Sequence, residues 1–348
     1  MHRRDHRTPG WGLADLPDLR GRRVVVTGAD AGIGFQMSRM LAGRGATVVL
    51  ACRDLPLARQ AAGRIRADVA AAGRHPVADV RVQHLDLASL ASVHAAAERI
   101  RAEHPALDLL INNAGVMRPT ESTTEDGFDR TLGVNYLGHF ALTGLLLDRL
   151  LVSPGSRVIV LSSLAHHVGR IDPVGLAAGC PPFGPASVSG STGRRQYPAS
   201  KLAMLMFAFE LQRRLAAVGA STIAVAAHPG VARTGLAREL PAVMRAFMTD
   251  QMSPVMSWLI HSAQAGALAP LRAAVDPTAR GGEYYGPDGL FGATGAPAFA
   301  RAGRAARDRA GQRLLWAESE RVTGVRYLLR PARGSAVDRR SYVKRNTL

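Results

Sequence analysis

The stretch from Arg23 to Gly34 constrains this chain more than any other. A short β-branched run, Arg23-Val-Val-Val-Thr27, passes into Gly28-Ala-Asp30-Ala-Gly32-Ile33-Gly34 and then into an apolar-periodic segment that reads as a helix to about Leu41. Strand, glycine turn and helix in that order begin a βαβ mononucleotide unit. Glycines let the backbone turn tightly and approach a pyrophosphate, whose charge then rests at the positive end of the helix. Glycine turns also join strands to helices for packing alone, so the context matters. A second β-rich run, Thr47 to Cys52, ends about 20 residues past the glycines, where a dinucleotide fold reads the adenosine ribose. At that point stand Arg53 and Asp54, which argue in opposite directions. Arg53 suits a 2′-phosphate and NADP, whereas Asp54 suits a 2′-hydroxyl and NAD. Asp54 also reads as the N-cap of the next helix, with Pro56 in its first turn. The expected cofactor is NADP (NADPH), with NAD as the alternative.

The second informative feature is a lysine. Of 44 basic side chains only two are lysine, Lys201 and Lys344, and the second lies in the last few residues. Arginine serves ordinary ion-pair roles as well or better, so Lys201 points to chemistry that needs a compact ammonium. It follows Tyr197 by four positions, in a stretch to Leu215 with helical periodicity. Residues four apart share a helical face, so the phenol and the ammonium can meet one ligand. A cation about 4 Å away at an effective dielectric of ~20 is worth about 4 kcal/mol, which is roughly three pKa units. A phenol shifted so far exchanges protons with an alkoxide near neutral pH.

Composition excludes several other classes. Cys52 and Cys180 are the only cysteines, too few for a disulfide framework or zinc site, and no metal is expected. The adjacent His166 and His167 have no convergent cysteine or carboxylate partner in the pattern and read as loop or packing residues. The basic N-terminus (MHRRDHRTPGWG) leads into no apolar run, and no stretch of about 20 apolar residues follows. The reading is a cytoplasmic protein with no integral membrane segment. The net charge of +17 is spread through segments such as 98-ERIRAE-103, and aromatics make up 5%. That favours a solvated surface over a nucleic-acid partner.

Together these residues resemble the short-chain dehydrogenase/reductase family, whose glycine pattern matches Thr27 to Gly34. The further matches come in order: Asp86-Leu87 after a third strand, Asn112-Asn113-Ala114-Gly115 after a fourth, Asn135 in a helical VNYLGHF, Ser162-Ser163 ending 157-RVIVLSS-163, Tyr197 with Lys201, and His228-Pro229-Gly230 after a sixth strand. The resemblance implies a doubly wound α/β Rossmann fold, with a seven-stranded, mainly parallel sheet and helices on both faces. It implies Ser163, Tyr197 and Lys201 as a catalytic triad, with Asn135 extending it. It implies cofactor contacts from Gly28, Asp30, Gly32, Ile33, Gly34, Arg53, Asp86, Leu87, Asn113, Ala114, Gly115, Tyr197, Lys201, Pro229, Gly230 and Thr234. Leu50-Ala-Cys-Arg-Asp54, Ser162-Ser-Leu-Ala-His-His167 and Ser200-Lys-Leu-Ala203 resemble the retinol dehydrogenase-like branch, which implies carbonyl reduction or alcohol oxidation on apolar molecules, polycyclic or secondary metabolites included. Helices 136–152 and 197–217 correspond to those that pair subunits in the family, so a homodimer is one assembly it allows, and a monomer another.

The expected organisation is an N-terminal extension (1–20), one Rossmann domain (21–325) and a basic tail (326–348). The segment 169–196 reads as a mobile loop at the site or as a surface insertion. The segment 235–274, with Met244, Met248, Met252 and Met256 at helical spacing, reads as a lid over an apolar substrate or as packing. The expected function is hydride transfer between nicotinamide and a carbonyl or alcohol carbon, with Tyr197 as general acid/base. A catalytically idle dinucleotide-binding redox sensor or scaffold is the rival reading.

Overall fold

The computed structural model describes residues 10–73, 78–117, 119–171, 196–231 and 261–329. Strands and helices alternate: β1 Arg23–Thr27, α1 Gly32–Ala42, β2 Thr47–Cys52, α2 Leu55–Ala71, β3 Val80–His84, α3 Leu90–Glu103, β4 Leu109–Asn112, α4 Gly138–Leu151, β5 Arg157–Leu161, α5 Gln196–Ala217, β6 Ile223–Ala227, α6 Ala263–Val275, β7 Tyr284–Pro287, β8 Pro297–Phe299 and α7 Arg309–Thr323. A π-helical turn, Gly133–Leu137, runs directly into α4, and a 3-10 turn, Leu164–His167, follows β5.

The sheet order is β3-β2-β1-β4-β5-β6-β7-β8, parallel from β3 to β7. The eighth strand, one more than the sequence predicts, pairs antiparallel with β7 through Tyr285–Phe299 and Gly286–Ala298. Three residues opening on a proline, behind a glycine-rich turn, carry no alternating pattern, and an edge is where a sheet tolerates proline.

Side chains alternate across the strands, so one sheet feeds two cores. Val25 and Leu110 enter the layer built with α3, α4 and α5. Val24, Val26, Leu109 and Ile111 enter the layer built with α1, α2 and α6. The second core also takes up Leu16 and Leu19, so the N-terminal extension is packed from Leu16 onward. Helix α6 takes up the last part of the span 235–274, ends one residue beyond it and carries buried Ala267, Leu271 and Ala274 in that same core. The lid methionines lie outside the described residues.

The first core is closed by the C-terminal helix. Trp316 of α7 meets Phe140 of α4 at 5.2 Å, Phe207 of α5 at 5.9 Å and Tyr327 at 4.5 Å between ring centroids. Tyr327 donates its hydroxyl to the Phe140 carbonyl at 2.7 Å, which pins the first residues of the basic tail. The Arg214 guanidinium covers the Trp316 ring at 4.3 Å. On α5 every residue from Ser200 to Gln212 is buried or half-buried within the single chain. Helix α7 starts at Arg309 because Asp308 caps it by accepting from the Ala310 amide at 3.0 Å. Among the described residues no helix is long and apolar enough to cross a membrane.

Because Trp316 joins four elements in one cluster, Trp316→Ala should cost about 3–5 kcal/mol, read as a lower urea midpoint with the slope unchanged.

Candidate active site

Strand order reverses between β1 and β4, and there the crevice at the carboxyl ends of a doubly wound sheet opens. A cleft of about 690 Å³ occupies this position. At one end is the glycine turn. Gly28 and Gly32 take φ of +61° and +57°, a conformation glycine adopts without strain. A Cβ on Gly34 would collide with the Gly28 carbonyl, and one on Gly28 would come within 3.0 Å of Ala114. The cradle needs bare backbone, and the amides at the start of α1 face an approaching anion.

The sequence-marked residues converge on this cleft from six strand ends. It is lined by Gly28, Asp30, Gly32, Ile33 and Gly34 after β1, by Arg53 after β2, and by Asp86 and Leu87 after β3. Asn113, Ala114 and Gly115 follow β4, Ser163 follows β5, and Pro229 and Gly230 follow β6, while Tyr197 and Lys201 reach in from α5. Asp86-Leu87 stands two residues past the end of β3. Thr234 lies outside the described residues. Asp54 accepts from the Leu57 amide at 2.9 Å and caps α2. Arg53 beside it is exposed, with no ion-pair partner among the described residues.

At the other end Lys201 is 5% exposed. Its Nζ donates to the Leu161 carbonyl at 3.2 Å and stands 5.7 Å from the centre of the Tyr197 ring. Burial lowers the Lys201 pKa to about 8. Asn135 is fully buried. Its amide accepts from the Val116 amide at 2.7 Å and donates to the Val116 carbonyl and to Ser200 Oγ, each at 2.9 Å. Ser200 in turn donates to the Tyr197 carbonyl at 2.8 Å. The π turn tilts Asn135 out of the regular ladder, and it ties the β4 loop to the start of α5. Gly115 lies where these meet, and a Cβ there would crowd the two side chains, at 3.3 Å from Asn135 Oδ1 and 3.4 Å from Lys201 Nζ.

A family model described as short chain dehydrogenase matches residues 22–175. Human retinol dehydrogenase 13 is 41% identical over 88% of this chain and 86% of its own length. That identity over nearly all of both chains decides the family. The chain is a short-chain dehydrogenase/reductase of the retinol dehydrogenase-like branch. The enzyme is therefore an NAD(P)-dependent oxidoreductase with a nicotinamide dinucleotide cofactor. Mouse polyprenol dehydrogenase is 39% identical over 89% of this enzyme and 86% of its own length. Among solved structures, an uncharacterised protein of Mycobacterium paratuberculosis shares 37% identity with a TM-score of 0.72, covering 91% of this enzyme and 99% of that chain. The residues fit a dinucleotide: the cradle that a Cβ would fill, the helix start and the exposed guanidinium lie along one cleft.

Sequence reasoning missed the polar side chains behind the site. Thr27 Oγ1 accepts from the amides of Asn113 and Ala114 at 2.9 and 3.0 Å. It also lies 2.8 Å from His139 Nε2, while His139 Nδ1 lies 2.9 Å from the Asn135 carbonyl. A carbonyl only accepts, so the neutral ring carries its proton on Nδ1 and accepts a hydrogen bond from the Thr27 hydroxyl on Nε2. The available signal was spacing: His139 is four residues past Asn135, and Ser200 three past Tyr197. Cys52 also lines the cleft, its Sγ accepting from the Ala29 amide at 3.3 Å. Burial and the nearby Asp30 carboxylate push its thiol up to about 12.

Burial also lowers the pKa of His139 and His166 to about 4 and of His228 to about 3. Their folded values lie below the unfolded one near 6.5, so the unfolded chain binds more protons as pH falls. Stability should hold above about pH 6.5 and then fall towards pH 4 by up to about 1.4 kcal/mol per pH unit per imidazole. Urea unfolding at pH 7.5, 6 and 5 checks this, and His139→Gln should flatten the slope.

Proposed function

We propose that this enzyme is NADP-dependent and transfers hydride between nicotinamide and the carbonyl or alcohol carbon of an apolar substrate, with Tyr197 as general acid/base. The observation that carries the reading is one continuous cleft running from the glycine cradle and Arg53 to Ser163, Tyr197 and Lys201. The bound cofactor supplies the hydride in reduction and accepts it in oxidation. Ser163 Oγ already accepts from the Ala165 amide at 3.2 Å, which leaves its proton to donate to the substrate oxygen. Tyr197 gives its phenolic proton to the developing alkoxide. Lys201 holds the nicotinamide ribose hydroxyls, and its ammonium favours negative charge on the neighbouring phenol. Asn135 keeps the β4 loop and the start of α5 in register, so that the donors are aimed before substrate arrives.

Preference for NADP is supported by the division of work between Arg53 and Asp54: the carboxylate is committed to capping α2, and the guanidinium has no ion-pair partner among the described residues. The apolar substrate class is supported by Val116, Met117 and Val231 in the cleft lining and by the named activities of the retinol and polyprenol dehydrogenases. The cover of α5 by α7 favours a monomer over pairing of a second copy through α4 and α5.

Tyr197→Phe should nearly abolish reduction of an aldehyde or ketone panel with NADPH and leave the Kd for NADPH within about threefold, because the lost proton transfer acts only in the transition state. Lys201→Arg, which keeps the charge but not the compact shape, should be nearly as inactive. In the wild type kcat/KM should fall as pH rises through about 8, where buried Lys201 loses its proton. Loss of a charged hydrogen bond costs about 1.5–3 kcal/mol, so Arg53→Ala should raise the KM for NADPH at least about tenfold and leave that for NADH unchanged. Tight NADPH binding without turnover of any carbonyl would instead identify a redox sensor, and a preference for NADH would overturn the assignment to NADP.

A further inference from the structure

His166 looks like a loop histidine in sequence, but its side chain is buried, with 1% exposed. Its Nδ1 lies 2.6 Å from the carbonyl oxygen of Ser163, a group that can only accept. Its Nε2 receives the amide of Gly303 at 3.1 Å, a group that can only donate. These two partners fix the ring as the neutral tautomer with its proton on Nδ1. The His166 amide also donates to the same Ser163 carbonyl, at 3.0 Å. One residue therefore supplies both donors to that oxygen and locks the peptide plane that follows Ser163. On the other side Ser162 is held by its amide to Ala227 and its hydroxyl to the Lys201 carbonyl, each at 2.8 Å.

The surroundings leave the ring no second arrangement. His167 stacks on it at 4.0 Å, and Tyr284 meets it edge-on at 5.6 Å with its hydroxyl 3.5 Å from Nδ1. Turning the ring over would set a carbon against the Gly303 amide and leave the Ser163 carbonyl without its side-chain donor. The Gly303 amide belongs to the segment between β8 and α7, so the ring also links the turn bearing Ser163 to the C-terminal part of the chain.

We propose that His166 is a positioning residue for Ser163. By donating to the Ser163 carbonyl while accepting from the Gly303 amide, it fixes the direction in which the Ser163 hydroxyl meets the substrate oxygen. The inference rests on the role given to Ser163 under the proposed function. Its effect belongs to the chemical step, because small misplacements of an aimed donor cost rate and not cofactor binding.

Three variants separate this from a packing role. His166→Phe keeps a flat ring and loses both hydrogen bonds. His166→Gln keeps an acceptor for the Gly303 amide and loses the donor to Ser163. His166→Asn keeps an N–H at the Nδ1 position. With an aldehyde that the wild type reduces, His166→Phe and His166→Gln should lower kcat about tenfold or more while the Kd for NADPH is unchanged, and His166→Asn should recover most of it. In a Ser163→Ala background, His166→Gln should cost nothing further, since its effect passes through Ser163. Wild-type kcat in His166→Gln, a better rate in His166→Phe than in His166→Asn, or an additive loss in the double variant would each overturn the proposal. A wild type that reduces no carbonyl would overturn the proposed function itself, and the role of His166 with it. An active wild type indifferent to these changes would overturn only the role of His166.

Discussion

The hydroxyl of Thr27 stands where the two halves of the sheet part, and much of the site depends on what it holds. It ends β1, accepts two amides from the loop after β4 and donates a hydrogen bond to His139. At a strand-order reversal the connections after β1 and β4 leave for opposite faces of the sheet, and beyond the strand ends no ladder orders them. One side-chain oxygen substitutes for that ladder. Through His139 it reaches the Asn135 carbonyl, through the Asn135 amide it reaches Ser200, and through Ser200 the backbone of Tyr197. The glycine cradle and the reactive end of the cleft thus share one connected set of hydrogen bonds. Inside a low-dielectric core such a set favours a single arrangement, because each unmade member is costly.

The readable parts of the sequence were those governed by backbone geometry. Thr27 to Gly34 declares a strand, a tight turn and a helix start, since only glycine suits the φ of Gly28 and Gly32 and the close approach at Gly34. The buried β1, β4 and β5 declare themselves as unbroken apolar runs. The Asp54 cap was legible from Pro56. What stayed hidden depended on contacts between distant segments. Nothing near His166 announces Gly303, which is remote in the chain, and nothing near Trp316 announces Phe140. The Pro297–Phe299 strand is too short to show a period, and it exists because β7 offers an open edge. The loops bearing the candidate residues gather at one end of the sheet because parallel strands all finish there. That much follows from the topology, whereas the distances do not.

Electrostatics divides the molecule in a similar way. Several ion pairs among the described residues lie at the surface, such as Arg81 with Asp79 and Arg101 with Asp148, and pairs of that kind contribute little stability. The buried Glu210 carboxylate is different, since it accepts from Arg213 and Arg214 together. Four buried groups at or behind the cleft are held towards neutrality by burial: His139, His166 and His228 as free imidazoles and Cys52 as a thiol. Lys201, its pKa lowered in the same way, keeps its charge up to about pH 8. It is the exception among these buried groups at neutral pH.

The closure of the first core by Trp316 and Tyr327 also bears on how the chain is made. Synthesis runs from the N-terminus, so β1 to β6 and helices α1 to α5 leave the ribosome well before α7 does. Until residue 327 has emerged, Phe140, Tyr136 and Phe207 present an uncovered aromatic face. A partly made chain carrying such a face is a natural client for a chaperone, and a message truncated near its end would leave that face permanently open to aggregation.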